Sequence, residues 1–191
     1  MKKLYILIFF IYSVISLAED TDKLEFRIGG NLGGKYKKIS TTNFKNNSEP
    51  KDIGYEFIIE LVHEPIPNLI TGLGAGYQRE NQVEIEGKSY NLIDTIPVYA
   101  TVKYRFNGIG IYKPYIKLNL GVSIPYTRSD LDRTGVIVET GFYYSLGGGV
   151  EYKDMVIDLS YQYNENKLEG KYDGKIELSR LTLGIGYRLD I

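Results

Sequence analysis

Few side chains in this sequence have the types and spacing that covalent chemistry requires. Glu56 and Glu60 are four residues apart and could form the carboxylate pair of a glycoside hydrolase. His63, the only histidine, could act as general base for a serine nucleophile. The glycine-rich run 72–76 has some features of a phosphate-binding loop. Each of these signals also has a simpler structural explanation.

The simpler explanations follow from the position of each residue in the sequence. Glu56 and Glu60 stand at polar positions of an alternating segment, where they can pair with basic side chains. His63 falls in a predicted turn, HEPIPN, and the glycine run continues a strand, whereas a phosphate loop opens a helix. The absence of cysteine, with one histidine, excludes zinc clusters, iron–sulfur sites and disulfide frameworks. We therefore expect no enzyme activity, catalytic residue, metal or cofactor.

A larger set of charged residues shares one property, which is that each stands on the polar face of an alternating segment. Five are acidic and six are basic, and such closely balanced charges are expected to pair, because an unpaired buried charge is costly. They predict a solid polar core; the alternative is a narrow channel, for which a ring of one sign would be typical. The residues are Glu25, Arg27, Glu56, Glu60, Lys103, Arg105, Lys117, Glu151, Asp158, Arg180 and Arg188.

The elements that must position these charges are β-strands. Apolar residues alternate with polar or very small residues in eight segments, and no helical periodicity separates them. Consecutive strands without crossover helices pair antiparallel, so the pattern predicts an all-β fold, an eight-stranded antiparallel up-and-down barrel. The segments are 24–32, 53–61, 69–78, 96–106, 115–123, 142–152, 155–163 and 180–189.

The connections between these segments alternate between longer and short, which places all the longer ones at one end of the barrel. Membrane barrels have this arrangement, with long external loops and short periplasmic turns. Ile176 and Leu178 are out of step with the alternation, which predicts a bulge or a strand end within 175–179. The longer connections are 37–52, 79–95, 124–139 and 164–174, and the short ones are 63–68, 107–113 and 153–154.

Three features indicate a transmembrane barrel whose apolar face points outward. A soluble barrel would turn this face inward and expose the glycine row of 72–76. Each segment has about ten residues, which at the usual tilt span an apolar band of about 25 Å. Aromatic residues gather near the strand ends around an aliphatic middle, as two membrane interfaces select. The predicted girdle residues are Phe26, Tyr36, Tyr55, Tyr77, Tyr104, Phe106, Phe142, Tyr144, Tyr152, Tyr161, Tyr163 and Tyr187.

The first 18 residues have the features of a secretory signal peptide. A basic start, 1–3, precedes the apolar run 4–17, and small residues permit cleavage after Ala18. The apolar run is shorter than the roughly 20 residues of a spanning helix, which argues against a membrane anchor. We therefore predict a signal peptide at 1–18, a barrel domain at 19–191 and export to the outer membrane.

The end of the chain carries a motif that concerns assembly. Thr182, Gly184, Tyr187 and Leu189 fit a pattern of polar–x–Gly–x–x–aromatic–x–hydrophobic residues. This pattern resembles the C-terminal signal by which outer-membrane barrels are delivered to their assembly machinery. The sequence departs from the usual form, because two further residues, 190–191, follow where many such proteins end in phenylalanine.

The runs 96–106, 113–123 and 145–152, together with this motif, resemble the eight-stranded outer-membrane barrel family. That family includes the transmembrane domain of outer membrane protein A and the opacity-type proteins of the porin family. The resemblance covers residues 23–191 and implies the barrel fold and a location in the cell outer membrane of a Gram-negative bacterium. It implies little about activity.

Two functions are compatible with these features. One is a structural or surface-interaction role, of the adhesion type, carried by the four external loops; the alternative is a small passive channel for small or apolar solutes. The expected partners are outer-membrane lipid and lipopolysaccharide, the barrel-assembly machinery and an extracellular ligand at the loops. The formal net charge of −1 gives no electrostatic footprint for nucleic acid.

Overall fold

A computed structural model describes residues 22–39, 54–79, 83–85, 88–90, 93–108, 110–126, 136–170 and 174–191. These parts of the chain form ten β-strands. Among the residues described, no helix has the length and apolar character needed to cross a membrane. The strands are β1 (Lys23–Ile39), β2 (Tyr55–Ile66), β3 (Leu69–Arg79), β4 (Val83–Ile85), β5 (Lys88–Tyr90), β6 (Asp94–Arg105), β7 (Tyr112–Tyr126), β8 (Val136–Tyr152), β9 (Met155–Gly170) and β10 (Gly174–Asp190).

Eight of the strands close into a barrel in the order β1-β10-β9-β8-β7-β6-β3-β2, and every neighbouring pair is antiparallel. The short strands β4 and β5 form a separate hairpin between β3 and β6. The predicted all-β, eight-stranded, up-and-down barrel is therefore confirmed. Closure pairs β1 with β10, so the first and last strands of the barrel meet in one seam.

The strands are strongly tilted, as their register demonstrates. A path of paired residues that leaves β1 at Leu24 passes once around the barrel and returns to β1 at Lys35. Such a stagger requires tilted strands, and narrow barrels of this kind have a tilt of about 35–45°. The interior of an eight-stranded barrel is just wide enough for side chains to fill.

Burial alternates along the strands and separates an outer wall from an inner one. In the lower part of β10 the odd-numbered residues from Leu181 to Leu189 are exposed and the even-numbered ones from Thr182 to Arg188 are buried. The exposed residues of the barrel wall are largely aliphatic and aromatic, whereas most buried residues are polar or charged. The small buried apolar cluster inside consists of Ile58, Tyr99 and Tyr143.

Several strands are longer than the alternation predicted. The predicted loop 164–174 is wrong, because β9 continues to Gly170 and β10 begins at Gly174. The predicted loop 124–139 is shortened in the same way by β7 and β8, and 79–95 includes the hairpin β4–β5. The apolar alternation stops where strands leave the apolar band, but backbone pairing continues beyond it. Side-chain patterning therefore underestimates strand length.

The predicted irregularity within 175–179 lies in the neighbouring strand. β10 pairs with β9 without a register shift, and Leu178 is buried on the same inner face as Arg180. The shifts occur in β1, between Asn31 and Gly33 and between Tyr36 and Lys38. A bulge lets two residues of one strand face one residue of its partner, so either strand of the pair can contain it.

The predicted turn at 63–68 is reduced to two residues, and His63 belongs to strand β2. Its Nδ1 lies 2.7 Å from Oδ1 of Asp22, and the side chain is partly buried rather than freely exposed. Asn68 adopts a positive φ of 71° at the turn, and its backbone N–H donates to Glu64. Asparagine tolerates this left-handed conformation better than most residues.

Candidate functional site

The lowest layer of the barrel interior is a cluster of four charges near the short-turn end. Lys103 Nζ lies 3.0 Å from Glu25 and 3.5 Å from Glu151. The guanidinium of Arg188 donates to the same two carboxylates at 3.1 Å and 2.6 Å. Two cations and two anions from β1, β6, β8 and β10 therefore neutralise one another across the barrel. Charge-assisted hydrogen bonds of this kind are stronger than neutral ones.

Arg105 extends this layer toward the short-turn end. It forms ion pairs with Glu64 and, at 3.5 Å, with Glu151. Burial alone would raise the pKa of Glu64. The Asn68 N–H and the Arg105 guanidinium lower it by more, so the pKa of this carboxyl is below its usual value. Glu64 lies outside the apolar band. It was not predicted as an ion-pair partner, because the sequence pattern placed residues 63–68 in a turn.

A middle layer contains two further ion pairs. Lys117 Nζ lies 2.6 Å from both carboxylate oxygens of Glu60, which also accepts a hydrogen bond from the hydroxyl of Tyr99. The Arg27 guanidinium lies 2.7 Å from Asp158. Each pair joins strands that are far apart in the sequence, and each buried carboxylate has a cationic partner. Pairing of this kind reduces the cost of placing a charge inside the barrel.

The upper layer is organised around Glu56. Its carboxylate accepts hydrogen bonds from Arg180 at 2.8 Å, from Arg27 at 3.3 Å and from the Gln162 amide at 3.0 Å. Gln78 donates to it as well, at 3.1 Å. The Oε1 atom of Gln162 in turn accepts from Arg180 at 2.6 Å. Glu56 is therefore held by side chains from β1, β3, β9 and β10.

All eleven charged residues chosen from the sequence point into the barrel, and the structure brings them together in these three layers. The two glutamines that connect the upper layer, Gln78 and Gln162, were not among the residues predicted from the sequence. Both are fully buried on the polar face of their strands. The alternation places both glutamines on the polar face, but an uncharged amide does not indicate an ion-pair network as a charged side chain does.

Tyrosines fill the space that glycines leave on the inner wall. The rings of Tyr99 and Tyr143 are 5.2 Å apart, and both side chains are buried. A Cβ atom on Gly74 would lie 2.5 Å from the Tyr99 ring, and one on Gly149 would lie 2.8 Å from the Tyr115 hydroxyl. Glycine at these positions permits the rings to approach the wall closely.

The outward aromatic residues contact one another at two levels of the wall. At the lower level Tyr104 packs edge-on against Phe106 at 5.3 Å. At the upper level Tyr144 stacks on Tyr163 at 5.1 Å and lies 6.4 Å from Tyr161. The other predicted girdle residues described here also face outward with at least partial exposure: Phe26, Tyr55, Tyr77, Phe142, Tyr152 and Tyr187.

Two aromatic residues of the wall were missed because their segments were assigned to connections. Tyr112 stacks on Tyr152 at 5.2 Å, and Tyr126 is exposed at the upper end of β7. The side chain of Tyr36, a predicted girdle residue, lies outside the described part of the structure. The wall therefore has aromatic belts on both sides of an aliphatic band, as membrane interfaces favour.

Comparisons with known proteins agree with this architecture. Two solved barrels match it. Neisserial surface protein A is 16% identical with a TM-score of 0.51, and the match covers 90% of this chain and 97% of that one. Outer membrane protein AlkL is 12% identical with a TM-score of 0.55, and the match covers 91% of this chain and 92% of that one. The chain has the fold of the eight-stranded outer-membrane barrels. No protein-family model matches the sequence.

Two curated sequences are related to this outer-membrane barrel. An uncharacterized Pasteurella multocida protein, PM1543, is 24% identical over 85% of this chain and 86% of its own length. An uncharacterized outer-membrane protein of Sinorhizobium fredii, y4mB, is 25% identical over 71% of this chain and 62% of its own length. With the apolar outer wall, these likenesses support a location in an outer membrane.

The residues of the predicted assembly motif lie on both faces of β10. Thr182 is buried and donates a hydrogen bond to Asn31 at 3.1 Å, and Gly184 also faces inward. Tyr187 and Leu189 are exposed on the outer wall. The predicted signal peptide, residues 1–18, and most of loop 37–52 lie outside the described residues. Within the described parts of the chain, no group of three or more metal-binding side chains is found.

Proposed function

We propose that this outer-membrane barrel acts through its external loops, as a structural protein with a surface-interaction role. The observation that supports the proposal most strongly is the three-layered set of ion pairs inside the barrel. Opposite charges at hydrogen-bonding distance occupy the lower, middle and upper levels of an interior that is just wide enough for side chains. A rigid, filled barrel is suited to present loops, which commonly carry binding function.

The same proposal includes the absence of catalysis. Glu56 and Glu60 are engaged by Arg180 and Lys117, so neither carboxylate stands as the free member of an acid–base pair. His63 is at the short-turn end, bound to Asp22. These contacts support a structural interpretation of the residues that first suggested chemistry.

The proposed partners belong to the two ends and the wall of the barrel. Loop 37–52 contains four lysines, at positions 37, 38, 45 and 51, against two acidic residues. This composition favours an anionic partner such as the phosphates of lipopolysaccharide or a host polyanion. The motif at Thr182–Leu189 supports delivery by the barrel-assembly machinery after export.

A narrow passive channel is the second candidate, and one observation favours it. Several buried polar atoms have no hydrogen-bond partner among the described residues, and four of them are on adjacent strands: the hydroxyl oxygens of Thr101, Ser123 and Tyr143, and Oδ1 of Asn119. They belong to the adjacent strands β6, β7 and β8, so they lie along one side of the inner wall. Buried polar groups are usually satisfied, and ordered water could satisfy these.

Single-channel recording in a planar bilayer distinguishes the two functions. With the filled interior, we expect no discrete conductance steps from the purified protein. Steps that disappear or change size on Asn119→Leu would support the channel, because this substitution removes a polar group from the inner wall. Leu120→Ile, on the outer face of the same strand, is the matched control and should change nothing.

Loop deletions test the surface role itself. Bacteria that express the barrel should bind a host-cell layer or polyanion-coated surface more than bacteria without it, and deletion of 42–50 should lower this binding. Asp154→Asn, in the short turn between β8 and β9 at the opposite end of the barrel, is the control and should leave binding unchanged. Conductance steps from the intact protein, together with unchanged binding after every loop deletion, would contradict the surface-interaction proposal.

A further inference from the structure

A groove of about 340 Å³ crosses the outer wall at the seam where the first and last barrel strands meet. It lies on the apolar side of the wall, outside the charged interior described above. Its lining residues include Ile28, Gly30, Tyr55, Phe57, Leu183 and Ile185.

The groove exists because a glycine interrupts a row of large side chains. Leu183 on β10 and Tyr55 on β2 both pair with Gly30, which lies between them on β1. A Cβ atom on Gly30 would meet nothing within 4 Å, so the space above it is open. The next row toward the short-turn end, Ile185–Ile28–Phe57, is complete.

The groove is apolar, and a cation lies beside the residue that forms its upper border, Tyr55. Ile28 and Phe57 in its lower row are both more than half exposed, so the membrane interior covers this part of the wall. At the upper end the Arg79 guanidinium lies 5.7 Å from the centre of the Tyr55 ring. Arg79 is the last residue of β3 and pairs with Tyr55, above the apolar band.

An acyl chain and a phosphorylated headgroup match these two parts. Membrane lipid is the medium that surrounds the wall, and a gap between large apolar side chains can hold a hydrocarbon chain in van der Waals contact. Arginine is well suited to phosphate, because its planar guanidinium donates paired hydrogen bonds.

We propose that this groove is a binding site for an anionic phospholipid whose headgroup lies toward the long-loop end of the barrel. One acyl chain lies over Gly30, between Leu183 and Tyr55, and the headgroup phosphate contacts Arg79. The inference concerns the membrane-facing wall, so it depends on the outer-membrane location and is independent of the function proposed for the loops.

Because the chain contains no tryptophan, a single introduced tryptophan reports on one place in the wall. Leu181→Trp places the reporter beside the groove, since Leu181 is exposed on β10 opposite Gly33. Val122→Trp places a matched reporter on β7, across the barrel from the seam. Both variants are reconstituted in phosphatidylcholine vesicles with a small fraction of phosphatidylglycerol whose acyl chains are brominated, so that bromine quenches nearby tryptophan fluorescence.

We expect stronger quenching of the Leu181→Trp reporter than of the Val122→Trp reporter. Gly30→Leu, which fills the groove, should remove this excess. Arg79→Gln should lower the apparent affinity for the brominated lipid about fivefold, the effect of one cation at an anionic membrane surface. Ala100→Leu, which enlarges an exposed residue on β6 elsewhere in the wall, should leave the excess unchanged.

Brominated phosphatidylcholine in the same vesicles provides the headgroup control and should quench the two reporters equally. Equal quenching of both reporters by brominated phosphatidylglycerol would overturn the site. An excess that survives Arg79→Gln, or that is as large with brominated phosphatidylcholine, would overturn the assignment of an anionic headgroup. Arg79 is outside the apolar band, so this variant decides the question even if Gly30→Leu fails to fold.

Discussion

Glu56 accepts hydrogen bonds from Arg27, Arg180, Gln78 and Gln162, which come from four different strands. At the scale of single residues, such contacts are what give the interior its order. None of the four partners is close to Glu56 in sequence; Arg180 is 124 positions away. A buried pair need not add net stability compared with an apolar core, but removal of one partner leaves the other charge uncompensated.

Glu56→Gln should therefore destabilise the barrel strongly. The substitution keeps the size of the side chain but leaves the Arg180 guanidinium facing a neutral amide, and we expect a loss of about 3–5 kcal/mol in the free energy of unfolding. Urea titration in lipid vesicles measures this loss. Asp190→Asn is the control: it removes the exposed ion pair with Lys23 and should change the free energy of unfolding far less, because water screens exposed charges. Equal effects of the two variants would show that the interior pairs contribute little.

At the scale of strands, the inner wall depends on the pairing of small with large residues. Gly74 on β3 lies directly beside Tyr99 on β6, with which it is paired in register. The ring can reach Glu60 because Gly74 has no side chain in its way. Glycine on the outer face has a different consequence, since at Gly30 it leaves an open groove.

Gly74→Ala and Gly30→Ala test this difference. In the first variant the new Cβ atom would lie 2.5 Å from the Tyr99 ring, so the ring must move, and we expect a destabilisation of about 1–3 kcal/mol. In the second the Cβ atom meets nothing within 4 Å, and stability should hardly change. Thermal unfolding in detergent, followed by circular dichroism, compares them. A larger loss for Gly30→Ala would contradict the packing described here.

At the scale of the whole molecule, closure removes every free edge from the barrel. Each of the eight strands pairs on both sides, and the exposed wall is apolar between two aromatic belts. A sheet without edges offers no template for further strand pairing, and its backbone polar groups are satisfied even in hydrocarbon. Unfolding must break the barrel as a unit.

The folded barrel should therefore resist sodium dodecyl sulfate until it is heated. We expect unboiled protein to migrate at a different position from boiled protein in gel electrophoresis, and the folded band to convert only at high temperature. Glu56→Gln should lower the temperature of this conversion. A purified mature chain that stays monomeric in buffer without detergent would show that the wall does not face a membrane.

The alternation of side chains was sufficient to predict the number of barrel strands, the antiparallel arrangement and the face to which most strand residues point. In a strand, successive side chains point to opposite sides, so the two faces can be recognised from one segment at a time. The same local rule identified the eleven inward charges. It could not identify the ends of β9 and β10, because pairing there continues among residues that no longer alternate between apolar and polar.

Partners were decided only by the tertiary structure. That Arg27 binds Asp158, that the bulges belong to β1 rather than β10, and that Gly30 opens a groove beside Leu183 all depend on register around the closed barrel. Register is a relation between strands, set by tilt and closure together, so no single segment of sequence contains it. Alternation within one segment is therefore enough to predict which side a residue faces, whereas closure of the barrel sets which residues meet.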